Sequence, residues 1–292
     1  MAAISERLPA NVEGPFFVDA SCIDCDACRQ IAPATFEARE GQAAVHRQPR
    51  SAADLLAAQK ALVSCPTASI GDLEKRSVAG AIAAYPDPIE DDVHFCGFTS
   101  ESSFGAWSYL VRRPEGNLLI DSPRFTAPLV RNIERLGGVS RMFLTHRDDV
   151  ADHEKFRAHF GCDRVLHADD VTRSTREIEH QPEGLEPIRF AEDFVMIPSP
   201  GHTRGHAVFL YRDRFLFSGD HLAWSPARGH LYAFRRACWY SWSEQIRSME
   251  RLLDHSFEWV LPGHGRSIRL PAREMHLSLQ KCIAWMKRAE PG

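Results

Sequence analysis

No apolar run in this 292-residue sequence is long enough to cross a bilayer. The stretch around Leu118–Ile120 falls far short of the ~20 residues that a spanning helix needs. The N-terminus, Met1 to Arg7, lacks a basic segment leading into an apolar run. No secretory signal is read there, and a cytoplasmic location away from membranes is expected. Charge of one sign is also missing. The 35 Lys and Arg against 39 Asp and Glu give a formal net charge of −4, and basic residues such as Arg235-Arg236 occur in small groups. That excludes an electrostatic footprint for nucleic acid. Internal repeats and low-complexity segments are absent too. What remains, 44% hydrophobic and 25% charged residues, is the composition of an ordinary globular protein, and the length suggests two domains.

Eight cysteines are present, but not in a disulfide pattern. Cys22, Cys25 and Cys28 crowd into seven residues as C-x2-C-x2-C, and Cys65-Pro66 stands apart as a fourth. Short spacing and a reducing compartment both disfavour bridges and favour a metal centre. A cubane iron–sulfur cluster needs four thiolates, three from one tight loop and one from a distance. The same four sulfurs suit zinc as well, though three equally spaced cysteines with a remote Cys-Pro point to [4Fe–4S]. Cys96, Cys162, Cys238 and Cys282 are scattered singly and read as small buried residues. This pattern resembles the bacterial single-cluster ferredoxins, with Phe17-Val18-Asp19 similar to their first strand. One such set implies one cluster.

Residues 1–83 hold these cysteines and a helical pattern from Ala52 to Leu62, with Ser51 as its N-cap. Tyr85 to Asp92 pairs two prolines with an acidic run and reads as an extended linker. Domains are therefore expected over 1–83 and 84–292. Strand signals follow at Trp107–Val111, Asn117–Asp121, Arg141–Thr145, Arg164–His167, Phe194–Ile197, Ala207–Tyr211, Phe215–Ser218 and Trp259–Leu261. Helical ones lie at Pro128–Leu136, Glu154–Phe160, Trp242–Leu253 and Met275–Met286. Strands interleaved with helices fit a layered domain of mixed α and β structure.

Four apolar strands run into loops rich in histidine and aspartate: Thr145-His146-Arg147-Asp148-Asp149-Val150-Ala151-Asp152-His153, Gly201-His202-Thr203, Gly219-Asp220-His221 and Gly263-His264-Gly265. Strand ends on one edge of a sheet converge, so distant residues can meet there. Imidazoles and carboxylates together suit zinc, iron or manganese, and a shared carboxylate suits a binuclear centre. These segments resemble the metallo-β-lactamase superfamily over roughly residues 90–270. The resemblance implies an α+β protein, a ferredoxin-type domain plus an αββα sandwich. It also implies ligands at His146, Asp152, His153, His202, Asp220 and His264. His146 and His202 would serve a first metal; Asp152, His153 and His264 a second; Asp220 would bridge. Asn117 to Asp121 resembles the family's strand that ends in an aspartate behind the metal ligands.

The sequence departs from the family at one place. The second histidine of Thr-His-x-His-x-Asp-His is missing, and the Asp-His pair comes two residues late. Asp148 occupies the vacant position, resembling the flavodiiron proteins, which carry a glutamate there. Asp148 or Asp149 would then substitute as ligand, with Asp149 read first as a helix-capping residue. His206, His221, His167 and His230 face substrate or simply pack, and Trp107, Trp224, Trp239 and Tyr240 line a pocket or belong to the core.

The function implied is a metal-dependent hydrolase of small molecules carrying an attached [4Fe–4S] electron-transfer module. One or two zinc or iron ions would activate water, and Asp152 would orient or deprotonate it. Two alternatives stay open: a non-haem iron oxidoreductase of dioxygen or nitric oxide type fed by the cluster, and a redox sensor or electron-transfer adaptor. A redox partner protein and a homodimer are both compatible with these readings.

Overall fold

A computed structural model describes residues 2–288, which fall into two compact units: residues 2–141 with 151–162, and residues 142–150 with 163–288. The boundary expected at 83/84 lies inside the first unit, between the helix Ala79–Ala83 and the strand Asp87–Glu90. No helix among the described residues is long and apolar enough to cross a membrane.

In the first unit, Phe16–Val18 pairs antiparallel with Ile70–Asp72, and Phe36–Arg39 forms a hairpin with Gln42–Val45. The helix Ala52–Ser64 starts where the sequence places it. Ser51 Oγ accepts the Asp54 N–H, and the Asp54 carboxylate accepts the Ser51 N–H in return. Such a cap contributes about 1 kcal/mol. Phe16, Val18, Phe36, Val45, Ala58, Ala61 and Ile70 form the core, with Cys22, Cys28 and Cys65 packed against it.

Four strands, Asp87–Glu90, Val93–Phe95, Tyr109–Val111 and Leu118–Ile120, then pair antiparallel in sequence order. The first of these replaces the expected linker. Pro88 lacks an N–H, and an edge strand tolerates that loss. Asp91, at a φ of 49°, turns the chain into the next strand.

The second unit carries a six-stranded sheet in the order Ile188–Ala191, Phe194–Pro198, Ala207–Tyr211, Phe215–Gly219, Trp259–Pro262, Ile268–Arg269. All its pairings are antiparallel except Phe215–Gly219 with Trp259–Pro262, which run parallel. Every residue of Phe194–Pro198, Ala207–Tyr211 and Phe215–Gly219 is buried, so these strands are continuous apolar runs. The helices Trp242–Arg251 and Ala272–Arg288 supply Met249, Met275, Leu279, Ile283 and Met286 to the core beside Val208, Leu210, Leu216 and Val260.

Candidate metal centres

Strand direction explains why the histidine and aspartate loops meet. Phe215–Gly219 and Trp259–Pro262 are parallel neighbours, so the residues that follow them, Asp220 and His264, emerge side by side. The Gly263 N–H donates to the Gly219 carbonyl at 2.8 Å, and His264 Nδ1 lies 2.8 Å from Asp220 Oδ1 and 2.9 Å from Oδ2. Phe194–Pro198 runs the same way as Phe215–Gly219, because each is antiparallel to Ala207–Tyr211 between them. The loop that carries His202 therefore opens at the same edge. Thr145, beside His146, joins it through its carbonyl, which accepts the Ala207 N–H at 2.8 Å.

Two groups of donor atoms result, each with its ligand atoms within 4.8 Å of one another: His146, Asp148 and His202, and His146, Asp149 and Asp220. His146 and His202 are buried, with rings perpendicular and centroids 4.7 Å apart. His146 Nε2 lies 3.9 Å from both Asp148 Oδ2 and Asp220 Oδ2. His202 Nε2 lies 3.5 Å from Asp148 Oδ2 and 3.8 Å from Asp220 Oδ2. These gaps are too long for good hydrogen bonds. Two ligands on one tetrahedral ion at zinc-like bond lengths stand ~3.4 Å apart, close to what is observed.

The polar accounting agrees with a cation. His146 Nε2 and both ring nitrogens of His202 are buried without a hydrogen-bond partner among the described residues, a costly state unless something accepts their lone pairs. Burial drives the His146 imidazole down to about 4, so it stays neutral and able to donate a lone pair. Burial alone would push the Asp220 carboxyl up, but His264, with His146 and His202 behind it, pulls it well below the usual range. Contact with His202 lowers Asp148 as well. Asp148 is the open member of the set, its side chain 45% exposed.

Supporting contacts fix the two loops. Asp170, 1% exposed, accepts the Arg147 N–H at 3.0 Å, the Thr203 hydroxyl at 2.5 Å and the Gly205 N–H at 2.7 Å. One carboxylate thus holds the neighbours of His146 and His202 together. His206 Nε2 accepts the Asp220 N–H at 3.3 Å. Gly263 has no side chain because none fits: a Cβ there would stand 2.7 Å from Asp149 Oδ2 and 3.1 Å from Asp220 Oδ1.

Asp152 and His153 belong to neither group. The Asp152 carboxylate accepts the Phe125 N–H at 2.7 Å and pairs with Lys155 at 2.7 Å. Asp152 is also the N-cap residue of the helix His153–Phe160, with no side-chain cap bond, and His153 is buried in its first turn. The carboxylate brought to His146 and Asp220 is Asp149, which the spacing alone assigns to capping. Asp121 is buried at the end of Leu118–Ile120. His221 is fully buried next to Asp220, and His167 Nδ1 accepts the Asp169 N–H. His230 Nδ1 lies against the Leu231 carbonyl.

In the first unit, Cys22, Cys25, Cys28 and Cys65 line one cavity with Val18, Ala43, Pro66 and Ile70. The Ala43 N–H donates to Cys22 Sγ at 3.5 Å and the Ser69 N–H to Cys65 Sγ at 3.3 Å. Arg29 pairs with Asp24 at 2.5 Å and also with Asp26, bracing the loop between the cysteines. Burial pushes the Cys25 thiol up to about 11 and raises Cys28 well above its ordinary value, and the neighbouring sulfurs push the same way. Four thiolates so gathered repel one another without a cationic centre among them, so the donor set fits an iron–sulfur cluster.

Residues 18–72 match the 4Fe-4S single cluster domain of Ferredoxin I. A metallo-β-lactamase from Pontibacter korlensis superposes with a TM-score of 0.52 at 18% identity, covering 68% of this chain and 97% of that one. The chain is a ferredoxin-type domain followed by a metallo-β-lactamase fold. Sequence relatives of the chain include a hydroxyacylglutathione hydrolase of Xanthomonas oryzae pv. oryzae. It is 36% identical over 114 residues, 37% of this chain and 43% of that protein. Another, from Rhodospirillum rubrum, is 28% identical over 146 residues, 48% of this chain and 55% of that protein. The chain thus spans about half the length of these curated relatives.

Proposed function

We propose that the protein is a metal-dependent hydrolase of esters or thioesters, with the donor set His146, Asp148, Asp149, His202, Asp220 and His264 holding one or two divalent ions. The observation that carries this reading is the pair of buried imidazoles, His146 and His202, whose Nε2 atoms lack hydrogen-bond partners among the described residues while carboxylates stand 3.5–3.9 Å away. Bound ions would supply Lewis acidity and a water of lowered pKa. The role expected of Asp152 passes to Asp149, since Asp152 is engaged by Phe125 and Lys155. Asp149 takes a proton from the attacking water, the water oxygen bonds to the acyl carbon, and the carbon–sulfur or carbon–oxygen bond breaks. The leaving thiol or alcohol receives the proton. Asp220 spans the His146 and His264 sides, and His206 fixes its backbone. Cys22, Cys25, Cys28 and Cys65 hold a [4Fe–4S] cluster. The names of the relatives support hydrolysis of a thioester as the first reaction to assay.

One observation favours a second reading. Asp148 adds a third carboxylate to the donor set, and oxygen-rich sites suit iron and manganese better than an all-imidazole site does. With a cluster in the same chain, iron at this site would make an oxidoreductase. The two separate on reductant dependence. Zinc-loaded protein that cleaves a thioester with no reductant present, and still does so after cluster removal, supports the hydrolase. Turnover that requires reduced cluster and iron overturns it.

A further inference from the structure

Phe234 to Tyr240, with Tyr232 before them, form a strap across the His202 and His264 loops. At one end, the Trp239 and Tyr240 N–H groups donate to the His202 carbonyl at 2.8 and 3.1 Å, and Cys238 Sγ donates to the Gly201 carbonyl at 3.2 Å. At the other end, the strap closes on Gly265, the residue after His264. A Cβ there would stand 2.9 Å from Phe234 Cζ and 3.4 Å from the Tyr232 hydroxyl, and the φ of 85° suits glycine as well. The strap is therefore built against both sides of the donor set and not merely near it.

Its side chains are costly to leave as they are. Trp239 is 61% exposed, with its ring centroid 6.1 Å from that of His202, and Tyr240 is 49% exposed. Large aromatics so open and so close to buried donors read as a surface waiting for a ligand. Between the two ends sit Arg235 and Arg236. Arg235 lies over the Trp242 ring at 5.4 Å, with Nη1 buried and without a hydrogen-bond partner. Arg236 is exposed and has no carboxylate partner among the described residues. Asp148, the exposed donor, opens toward solvent from the same donor group as His202.

We propose that this strap recognises the substrate, and that the substrate is an anionic ester or thioester with a flat apolar portion. Arg236 with Arg235 takes the anion as a charge-assisted hydrogen-bond partner, and Trp239 stacks on the flat portion, leaving the scissile carbonyl at the donor set. This rests on the hydrolase reading above.

The test uses the metal-loaded full chain and two thioesters that differ only in charge, S-acetyl-4-mercaptobenzoate and its methyl ester, with released thiol as the readout. The anion is expected to be preferred by about tenfold in kcat/KM, mostly through KM. Arg236→Gln should lower kcat/KM for the anion about tenfold more than for the neutral probe, Arg236→Lys should keep part of the preference, and Trp239→Ala should weaken both probes. Binding is followed separately by tryptophan fluorescence with 4-acetamidobenzoate, which the wild type binds and Arg236→Gln does not. Equal losses on both thioesters, or none, overturn the strap while the hydrolase stands. No cleavage of either probe, with 4-acetamidobenzoate binding still dependent on Arg236, overturns the hydrolase and keeps the strap. Fluorescence binding unaffected by Arg236→Gln overturns the strap in every case.

Discussion

Replacing Asp170 by asparagine should loosen the donor set without touching a donor. The buried carboxylate serves three donors: Oδ2 takes the Arg147 N–H and the Thr203 hydroxyl, and Oδ1 takes the Gly205 N–H. An asparagine oxygen can replace only one carboxylate oxygen. In its better orientation the amide keeps the first two contacts and turns its own N–H groups toward the Gly205 N–H. No space is available for relaxation, since a Cβ on Gly205 would already stand 2.5 Å from the Asp170 nitrogen. Leaving a buried donor unsatisfied costs roughly 1–3 kcal/mol, and bonds to a charged acceptor are worth about twice neutral ones, so the total is about 2–4 kcal/mol. For a protein of this size that lowers Tm on the order of 5–15 °C. Metal retention should fall by about tenfold or more, as when groups that orient ligands are removed elsewhere. Differential scanning calorimetry, with metal analysis after dialysis against a graded chelator, measures both. A variant that melts within a degree or two of wild type and retains metal equally would refute this account of how the His146 and His202 loops are held.

Three further outcomes are expected. Gly263→Ala, whose Cβ would crowd Asp149 Oδ2 and Asp220 Oδ1, should abolish metal binding in the second unit while circular dichroism stays unchanged. Asp149→Asn should lower metal affinity by about tenfold or more and Asp152→Asn should lower it far less, read by titration with a chromophoric chelator; the reverse order would restore the family spacing read from the sequence. Cys65→Ser should remove the cluster's visible absorbance and its iron, whereas Cys238→Ser, outside the four-sulfur cavity, should keep both.

Much of the site was legible because sequence and strand direction carry the same information. His202, Asp220 and His264 each follow an apolar strand and a glycine, and parallel pairing of Phe215–Gly219 with Trp259–Pro262 then delivers the last two together. The four cysteines were equally plain, since their spacing alone sets a three-sulfur loop. The segment from Asp148 to Asp152 was not. Three aspartates within five residues differ only in where the chain turns, and the unusual φ of 30° at Ala151 is invisible in the residue types. Counting by the family pattern selected Asp152, while backbone geometry gives Asp152 to Phe125 and brings Asp149 to His146 and Asp220. Asp170 was missed for a related reason. It follows Asp169 in a polar turn after Asp163–Val165, and nothing local marks it as the acceptor for loops 23 to 35 residues away. The strand at Asp87–Glu90 was hidden by Pro88, because a proline argues against a strand until the strand is known to sit on an edge.

Anomalous scattering from crystals of the metal-loaded protein, collected on both sides of the zinc and iron edges, tests the central claim most directly. A peak is expected about 2.0–2.2 Å from His146 Nε2 and from a ring nitrogen of His202, with Asp220 as a further ligand. A fully loaded protein whose metal peak lies on Asp152 and His153, away from His146 and His202, would contradict it.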